Sequence, residues 1–226
     1  MKNLKVVENT VIQDALSRLR NKNTDTQEFR YYSDRLCNLL ISNALEESDT
    51  VPVEIQTPLS LTSEVQLTED FIITVILRSG VAMLTPAIKL LPKAKIGFAG
   101  IYRDERTALP HEYYWKMPYV SSKSSILILD PMLATGGSVL SVLEKLMKEK
   151  PKSIRLVSIV GAPEGVRAVH KKFPDVKIYL AALDTQLNSR KYILPGLGDF
   201  GDRYFDTPTD EELIRKGKRN NRHWYE

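Results

Sequence analysis

Two kinds of apolar pattern alternate along the chain. Across 26–44, Phe29, Tyr32, Leu36, Leu39, Leu40 and Ala44 recur at three- and four-residue spacing, which places them on one helical face. Farther on, short runs apolar at successive positions take over, at 71–77, 95–101, 125–129, 154–160 and 177–181. Between them, 81–91, 138–150 and 163–173 carry helical spacing. Pro92, Pro151 and Pro174 each follow one of these segments, where a helix is hard to continue. Strands apolar on both faces that alternate with helices predict a parallel sheet covered on both sides. The expected architecture is therefore a doubly wound, mainly parallel α/β sheet in one domain spanning 1–226. Its parts are a helical segment at about 1–50, a core at about 70–206 and a basic tail at about 207–226. The stretch 51–68, where Val53 and Ile55 lead into Pro58 and a Ser/Thr-rich sequence, predicts irregular structure or a short hairpin. Ligands of such sheets bind beyond the carboxyl ends of the strands, so the loops after Leu77, Ile101, Leu129 and Val160 are where chemistry is expected.

Composition narrows the class without changing this picture. With 226 residues, 42% of them hydrophobic and 27% charged, the chain can bury a core without disulfides or a structural metal. Its single cysteine, Cys37, lies on the apolar helical face and reads as a buried structural thiol, which implies a reducing compartment and a cytoplasmic protein. The opening MKNLKVVENTVIQDAL predicts no signal peptide, and no apolar stretch is long enough to predict a membrane span. Thirty-two basic against 28 acidic residues give a net charge of +4, which permits an anionic ligand without requiring nucleic acid. His111, His170 and His223 share no ligand-like spacing with each other or with Cys37, so no protein-bound zinc is expected.

The strongest local signal is ILILDPMLATGGS, 126–138. An apolar strand ends in Asp130, a short loop carries Thr135, Gly136 and Gly137, and Ser138 opens a helix. Glycines let the backbone approach a ligand, and the free N–H groups of a first helical turn, with the helix dipole, favour a phosphate. An acid at the strand end suits sugar hydroxyls or a metal-bound water, so the pair suggests a sugar phosphate. The spacing is not that of a P-loop, whose Lys is absent. The plain alternative is a glycine-containing turn capped by Ser138.

DPMLATGGS resembles the phosphoribosyl pyrophosphate loop of the type I phosphoribosyltransferases, and in this form that of their uracil branch. There Pro131 takes the place of the second acid common elsewhere in the superfamily. The resemblance implies that Asp130, Pro131, Met132, Leu133, Ala134, Thr135, Gly136, Gly137 and Ser138 bind 5-phospho-α-D-ribose 1-diphosphate. Two further loops fit the same likeness. In ILRSG, Arg78 is a fixed cation suited to phosphate oxygens, read otherwise as a surface arginine; Gly80 would leave N–H groups exposed. The resemblance makes Arg78 a diphosphate ligand. The polar segment 102–118 is long for a connection, which suggests a lid, an exposed excursion or a subunit contact. The resemblance implies a flexible arm from which Arg103 reaches the diphosphate, while Arg106 stays unassigned.

The last signal is YILPGLGDFGDR, 192–203. Gly196, Gly198 and Gly201 spell G-x-G-x-x-G, but no further βαβ unit follows, so a dinucleotide site is excluded. Main-chain N–H and C=O groups in such a loop match the alternating donors and acceptors of a pyrimidine edge. The stretch resembles the uracil-recognition loop of the family. By that likeness Tyr192, Ile193, Gly198, Asp199 and Phe200 contact the base, and Asp199 lies between base and diphosphate. The likeness extends over about 75–205, with GAPEG at 161–165 also matching. It departs at Asp206, where the family usually has Gly, and in the tail.

The implied reaction joins uracil to the phosphoribosyl group, with Arg103, Asp130 and Asp199 catalytic and Mg²⁺ carried on the diphosphate rather than on protein ligands. Homo-oligomers and a nucleotide effector such as GTP also follow from the resemblance. A second reading is a regulator on the same fold, with Arg215, Lys216, Lys218, Arg219 and Arg222 of the tail contacting nucleic acid. The plain reading of that tail is a solvated basic helix end. A third is an enzyme for another base, against which the pyrimidine loop argues.

Overall fold

The structure, a computed structural model, describes residues 3–103 and 110–208. In chain order its elements are β1 (Leu4–Val6), α1 (Thr10–Arg20), α2 (Thr26–Ala44), β2 (Thr50–Gln56), β3 (Leu61–Leu67), β4 (Asp70–Leu77), α3 (Val81–Leu90), β5 (Lys95–Arg103), β6 (Pro110–Lys116), β7 (Ser124–Leu129) and β8 (Met132–Leu133). They continue with α4 (Gly137–Leu146), a 3-10 turn at Met147–Glu149, β9 (Ser153–Gly161), α5 (Pro163–Lys172), β10 (Lys177–Leu183), β11 (Gln186–Leu187), β12 (Ile193–Leu194) and α6 (Phe200–Phe205).

The central sheet has the order β1-β10-β9-β7-β4-β5-β6, with β8 added alongside β9. All its pairings are parallel except β5 with β6, as the doubly apolar strands predict. Alternate side chains serve opposite layers. Ile73 and Val75 of β4 and Leu127 and Leu129 of β7 pack with α1, α2, α3 and Phe200. Ile72, Ile76, Ile126 and Ile128 pack with Val139, Val142 and Leu143 of α4 and Val166 and Val169 of α5. The chain leaves β4 for β5 on one side and β7 for β9 on the other. The ends of β4 and β7 therefore flank a topological switch point.

The five apolar runs are all strands and the four helical segments all helices, while several details differ from expectation. The N-terminal region contributes β1 to the sheet edge and two helices, each with a side-chain N-cap. Asn9 accepts from the Val11 and Ile12 amides, and Asp25 from that of Glu28 at 2.8 Å. The stretch 51–68 takes the second of its two expected forms, the hairpin β2–β3, paired with no other strand among the described residues. The segment expected as a long polar connection is in its latter part β6, antiparallel to β5 at the sheet edge: Tyr114 and Trp115 pair with Gly100 and Ala99. Aromatic residues favour such half-covered strands, a propensity the polar neighbours masked. Residues 104–109 with Arg106, the Arg103 side chain and the tail from residue 209 lie outside the described part.

Cys37 is fully buried on α2, and burial, followed by the nearby Asp34 charge, pushes its thiol well above the ordinary range. Under the sheet, Arg155 of β9 donates two hydrogen bonds to Glu69 at 3.1 and 3.2 Å, both side chains buried. Among the described residues no helix is long and apolar enough to cross a membrane.

Candidate active site

A cleft of about 410 Å³ opens at the switch point, lined by the ends of β4, β5 and β7 and by residues 191–193 and 198–201. A recess of about 130 Å³ lies along the loop 130–139 and shares Asp130, Met132, Ala134 and Ser138 with it. The structure thus brings together three loops that lie far apart in sequence.

Asp130 sits where β7 ends, 8% exposed. Its Oδ1 accepts from the Met132 amide at 3.4 Å. Burial, only partly offset by that contact, pushes its carboxyl up to about 7. Beyond it the chain turns through Gly136 at φ 82°, a left-handed conformation that side chains resist. Helix α4 begins at Gly137, and its N-cap Gly136 supplies no side-chain acceptor. Ser138 is therefore the second residue of the helix rather than its cap, which removes the plain structural reading of this turn. Ser138 and the first turn border the recess, and within that turn the Gly137 amide donates weakly to the Thr135 hydroxyl at 3.4 Å. A helix start of this kind, with the dipole's positive end toward the recess, suits an anion.

Of the other loop members, Met132, Leu133 and Ala134 line the recess. Pro131 lines neither cavity: its carbonyl accepts from the Ile159 and Val160 amides and so binds the loop to β9.

Arg78 lines the cleft after β4, and its guanidinium is held by Asp202 at 2.7 Å and Thr207 at 3.2 Å. The side chain remains half exposed, so the fork is oriented without being sequestered. The exposed N–H groups expected at the Gly80 turn are corrected: the Gly80, Val81 and Ala82 amides donate to the Ile76, Arg78 and Ser79 carbonyls at 2.9, 3.3 and 3.2 Å.

Across the cleft stand Tyr192, Ile193, Gly198, Asp199 and Phe200. The Phe200 ring is buried against Phe29, 5.2 Å between centroids. Asp199 caps α6, accepting from the Asp202 amide at 2.9 Å. At the end of α6, Asp206 occupies a left-handed conformation, φ 58°, and accepts from the Thr26 hydroxyl at 3.1 Å. Glycine adopts that conformation without strain, which suits the Gly that the family resemblance leads one to expect there.

Sequence reasoning missed Ser79 and Lys191, which line the cleft, and Arg20 and Asp184 behind the base-side loop. Asp184 follows β10 and fell within reach of the strand-end rule that found Asp130. No local signal marks Arg20.

A helix that starts without a side-chain N-cap beyond the central strand of a mainly parallel sheet, with residues 191–193 and 198–201 across one cleft from it, is the layout of the type I phosphoribosyltransferases, and that is the class. The family is narrower: the model described as Uracil phosphoribosyltransferase matches residues 6–207, and the chain belongs to that family. A uracil phosphoribosyltransferase of Lacticaseibacillus paracasei is 44% identical over 203 residues, 89% of this chain and 97% of that one. One from Mycoplasma genitalium is 40% identical over 204 residues, 90% and 99% of the two chains. The solved structure of the AQ2163 protein from Aquifex aeolicus superposes with a TM-score of 0.84 at 33% identity, covering 89% of this chain and 97% of its own. The regulator reading finds no support in these relatives.

Proposed function

We propose that the chain transfers the phosphoribosyl group of 5-phospho-α-D-ribose 1-diphosphate to uracil, giving UMP and diphosphate. One observation carries this reading beyond family membership: the phosphate-suited loop after β7 and residues 198–201 of the glycine-rich loop border a single cleft. In it a base and a sugar carbon can be held face to face, which supplies much of the barrier reduction through orientation.

The C1–O bond of the sugar breaks with its electrons passing to the diphosphate, and the pyrimidine N1 forms the new bond to C1 as it loses its proton. The first turn of α4, with Thr135 and Ser138, holds the 5′-phosphate. Asp130 accepts from the ribose hydroxyls. Arg78 and Arg103 stabilise charge on the departing diphosphate, the kind of preorganised electrostatic help that dominates such reactions. Asp199, already a helix cap, orients or receives the base proton through its remaining oxygen.

Mg²⁺ suits this donor set. Asp130 and Asp199 line the cleft as acceptors for the waters of an ion that would be carried on the diphosphate, since Mg²⁺ keeps waters and substrate oxygens in preference to an all-protein cage. When bound on the diphosphate it neutralises leaving-group charge. GTP as effector and the cytoplasm as location belong to the same reading, the latter in keeping with the reduced, buried Cys37. So does a homo-oligomer, which the unpartnered hairpin favours: Leu59, Leu61 and Val65 are 95%, 68% and 67% exposed there.

The test is turnover of labelled uracil with the sugar diphosphate and Mg²⁺, against adenine, hypoxanthine, orotate and cytosine. UMP from uracil alone is expected; no product from any base refutes the proposal.

A further inference from the structure

We infer that Arg20 and Asp184, seconded by Arg203, are positioning residues for the pyrimidine loop: they set affinity for the base without touching it. The inference rests on the uracil reading above.

Asp184, just beyond β10, is 6% exposed. Its Oδ1 accepts from Arg20 Nη2 at 2.5 Å, and its Oδ2 from Arg20 Nη1 at 2.9 Å and from the Gly196 amide at 2.9 Å. Arg20 Nη1 also donates to the Gly196 carbonyl at 2.8 Å. One ion pair thereby holds both backbone groups of the residue at which the loop turns, and Gly196 stands there at φ 61°. A side chain is barred from that position, because its Cβ would lie 2.2 Å from the Ile193 carbonyl oxygen.

The neighbouring carbonyls are taken from the same side. Thr185 donates to the Leu194 carbonyl through its amide at 3.0 Å and its hydroxyl at 2.8 Å. Arg203 Nη1 donates to the Leu197 carbonyl at 2.8 Å and also to that of Leu19. Arg203 Nη2 reaches the Asn21 carbonyl at 2.7 Å, with the guanidinium 4.3 Å from the Phe29 ring centroid. Helix α1 sends Arg20 to the loop, and the loop's helix α6 sends Arg203 back to the carboxyl end of α1.

None of Arg20, Asp184 and Arg203 lines the cleft, and neither do residues 194–197 that they hold. Residues 198–201 follow immediately and do line it. Fixing one side of the loop therefore sets where the base-facing amides and carbonyls lie. An ion pair as largely buried as this one contributes little net stability compared with a well-packed apolar pair, and fixing a register is its better-attested use.

The experiment compares full-length wild type with Arg20→Met, Asp184→Asn and the double variant Arg20→Met/Asp184→Leu. It reads the KM of uracil and of the sugar diphosphate, kcat, sugar-diphosphate binding by calorimetry, and the thermal midpoint. Each single variant is expected to raise the uracil KM about tenfold or more while the sugar-diphosphate KM stays within about twofold, a selective loss of binding to one substrate. The double variant is expected to recover the thermal midpoint and keep the raised uracil KM. A wild-type uracil KM in the double variant, or equal rises in both KM values, overturns the positioning role. Should a single variant fail to fold, Arg20→Lys decides: it keeps the charge and loses the bidentate fork, so an unchanged uracil KM also overturns the role. Absence of UMP formation by the wild type is a different result, which sinks the enzymatic reading itself.

Discussion

At the scale of single residues, burial of Asp130 acts in opposite directions on stability and on binding. The unfolded chain gives up this proton near pH 4, whereas the folded protein keeps it to about 7. Between those values unfolding releases a proton, so this group makes stability fall as pH rises through the window, and its penalty is complete above pH 7. Asp130→Asn removes the penalty. Its thermal midpoint at pH 8 should rise by several degrees, at about 2–4 °C per kcal/mol for a chain of this size. Affinity for the sugar diphosphate should fall about tenfold or more at the same pH, the cost of replacing a charged acceptor. Because the ionised carboxylate accepts more strongly from hydroxyls, wild-type affinity should also gain more than the variant's between pH 6 and 8; parallel calorimetric titrations check this. Asp206 gives a second test. A left-handed conformation costs an ordinary residue about 1–2 kcal/mol, and glycine returns part of that as backbone entropy. Asp206→Gly should therefore stabilise the protein by about 0.5–1 kcal/mol in urea unfolding, and an unchanged midpoint would show that the hydrogen bond from Thr26 already offsets the strain.

At the scale of elements, α4 owes its role to an end without a side-chain cap. A serine or aspartate at position 136 would satisfy the first amides internally; glycine leaves them for a ligand. Losing two hydroxyl donors at a charged group is worth about 1.5–3 kcal/mol each at most. The pair Thr135→Val/Ser138→Ala should raise the sugar-diphosphate KM about tenfold or more and leave the uracil KM within about twofold in steady-state assays. These loops were readable in the chain because strand-end chemistry is local: Asp130, Thr135, Gly136 and Ser138 fall within nine residues of each other. Helix α1 and strand β6 were less readable. The first has no distinctive motif, and the second gains its partner only when β5 lies beside it.

At the scale of the whole molecule, the Glu69–Arg155 pair joins the start of β4 to β9 across β7. Burial by itself would raise the Glu69 carboxyl, but hydrogen bonds from Arg155, Ser125 and the Asp49 amide outweigh it and hold the group down at about 2. With the folded value depressed, the contribution is present above the ordinary value near 4.5 and is lost as pH falls from there toward 2. Arg155→Met leaves a buried charge without its partner and should cost about 3–5 kcal/mol in urea unfolding at pH 7. The loss should shrink markedly at pH 3, where the protonation of Glu69 relieves the orphaned charge.

The sequence by itself determined the alternating α/β class, the strand ends that carry chemistry, the phosphate-suited turn and the backbone-presenting loop. Each of these depends on residues near one another in the chain, through side-chain period, glycine freedom and helix-end geometry. Only the tertiary structure decided that β4 lies beside β7, which joins the Arg78 and Asp130 loops in one cleft, and that Asp130 is buried deeply enough to hold its proton to about 7. It also decided that Arg20 meets Asp184 across 164 positions of sequence. Such meetings depend on how the strands are ordered and on what the packed layers shut away from water, and neither property belongs to any local stretch of chain.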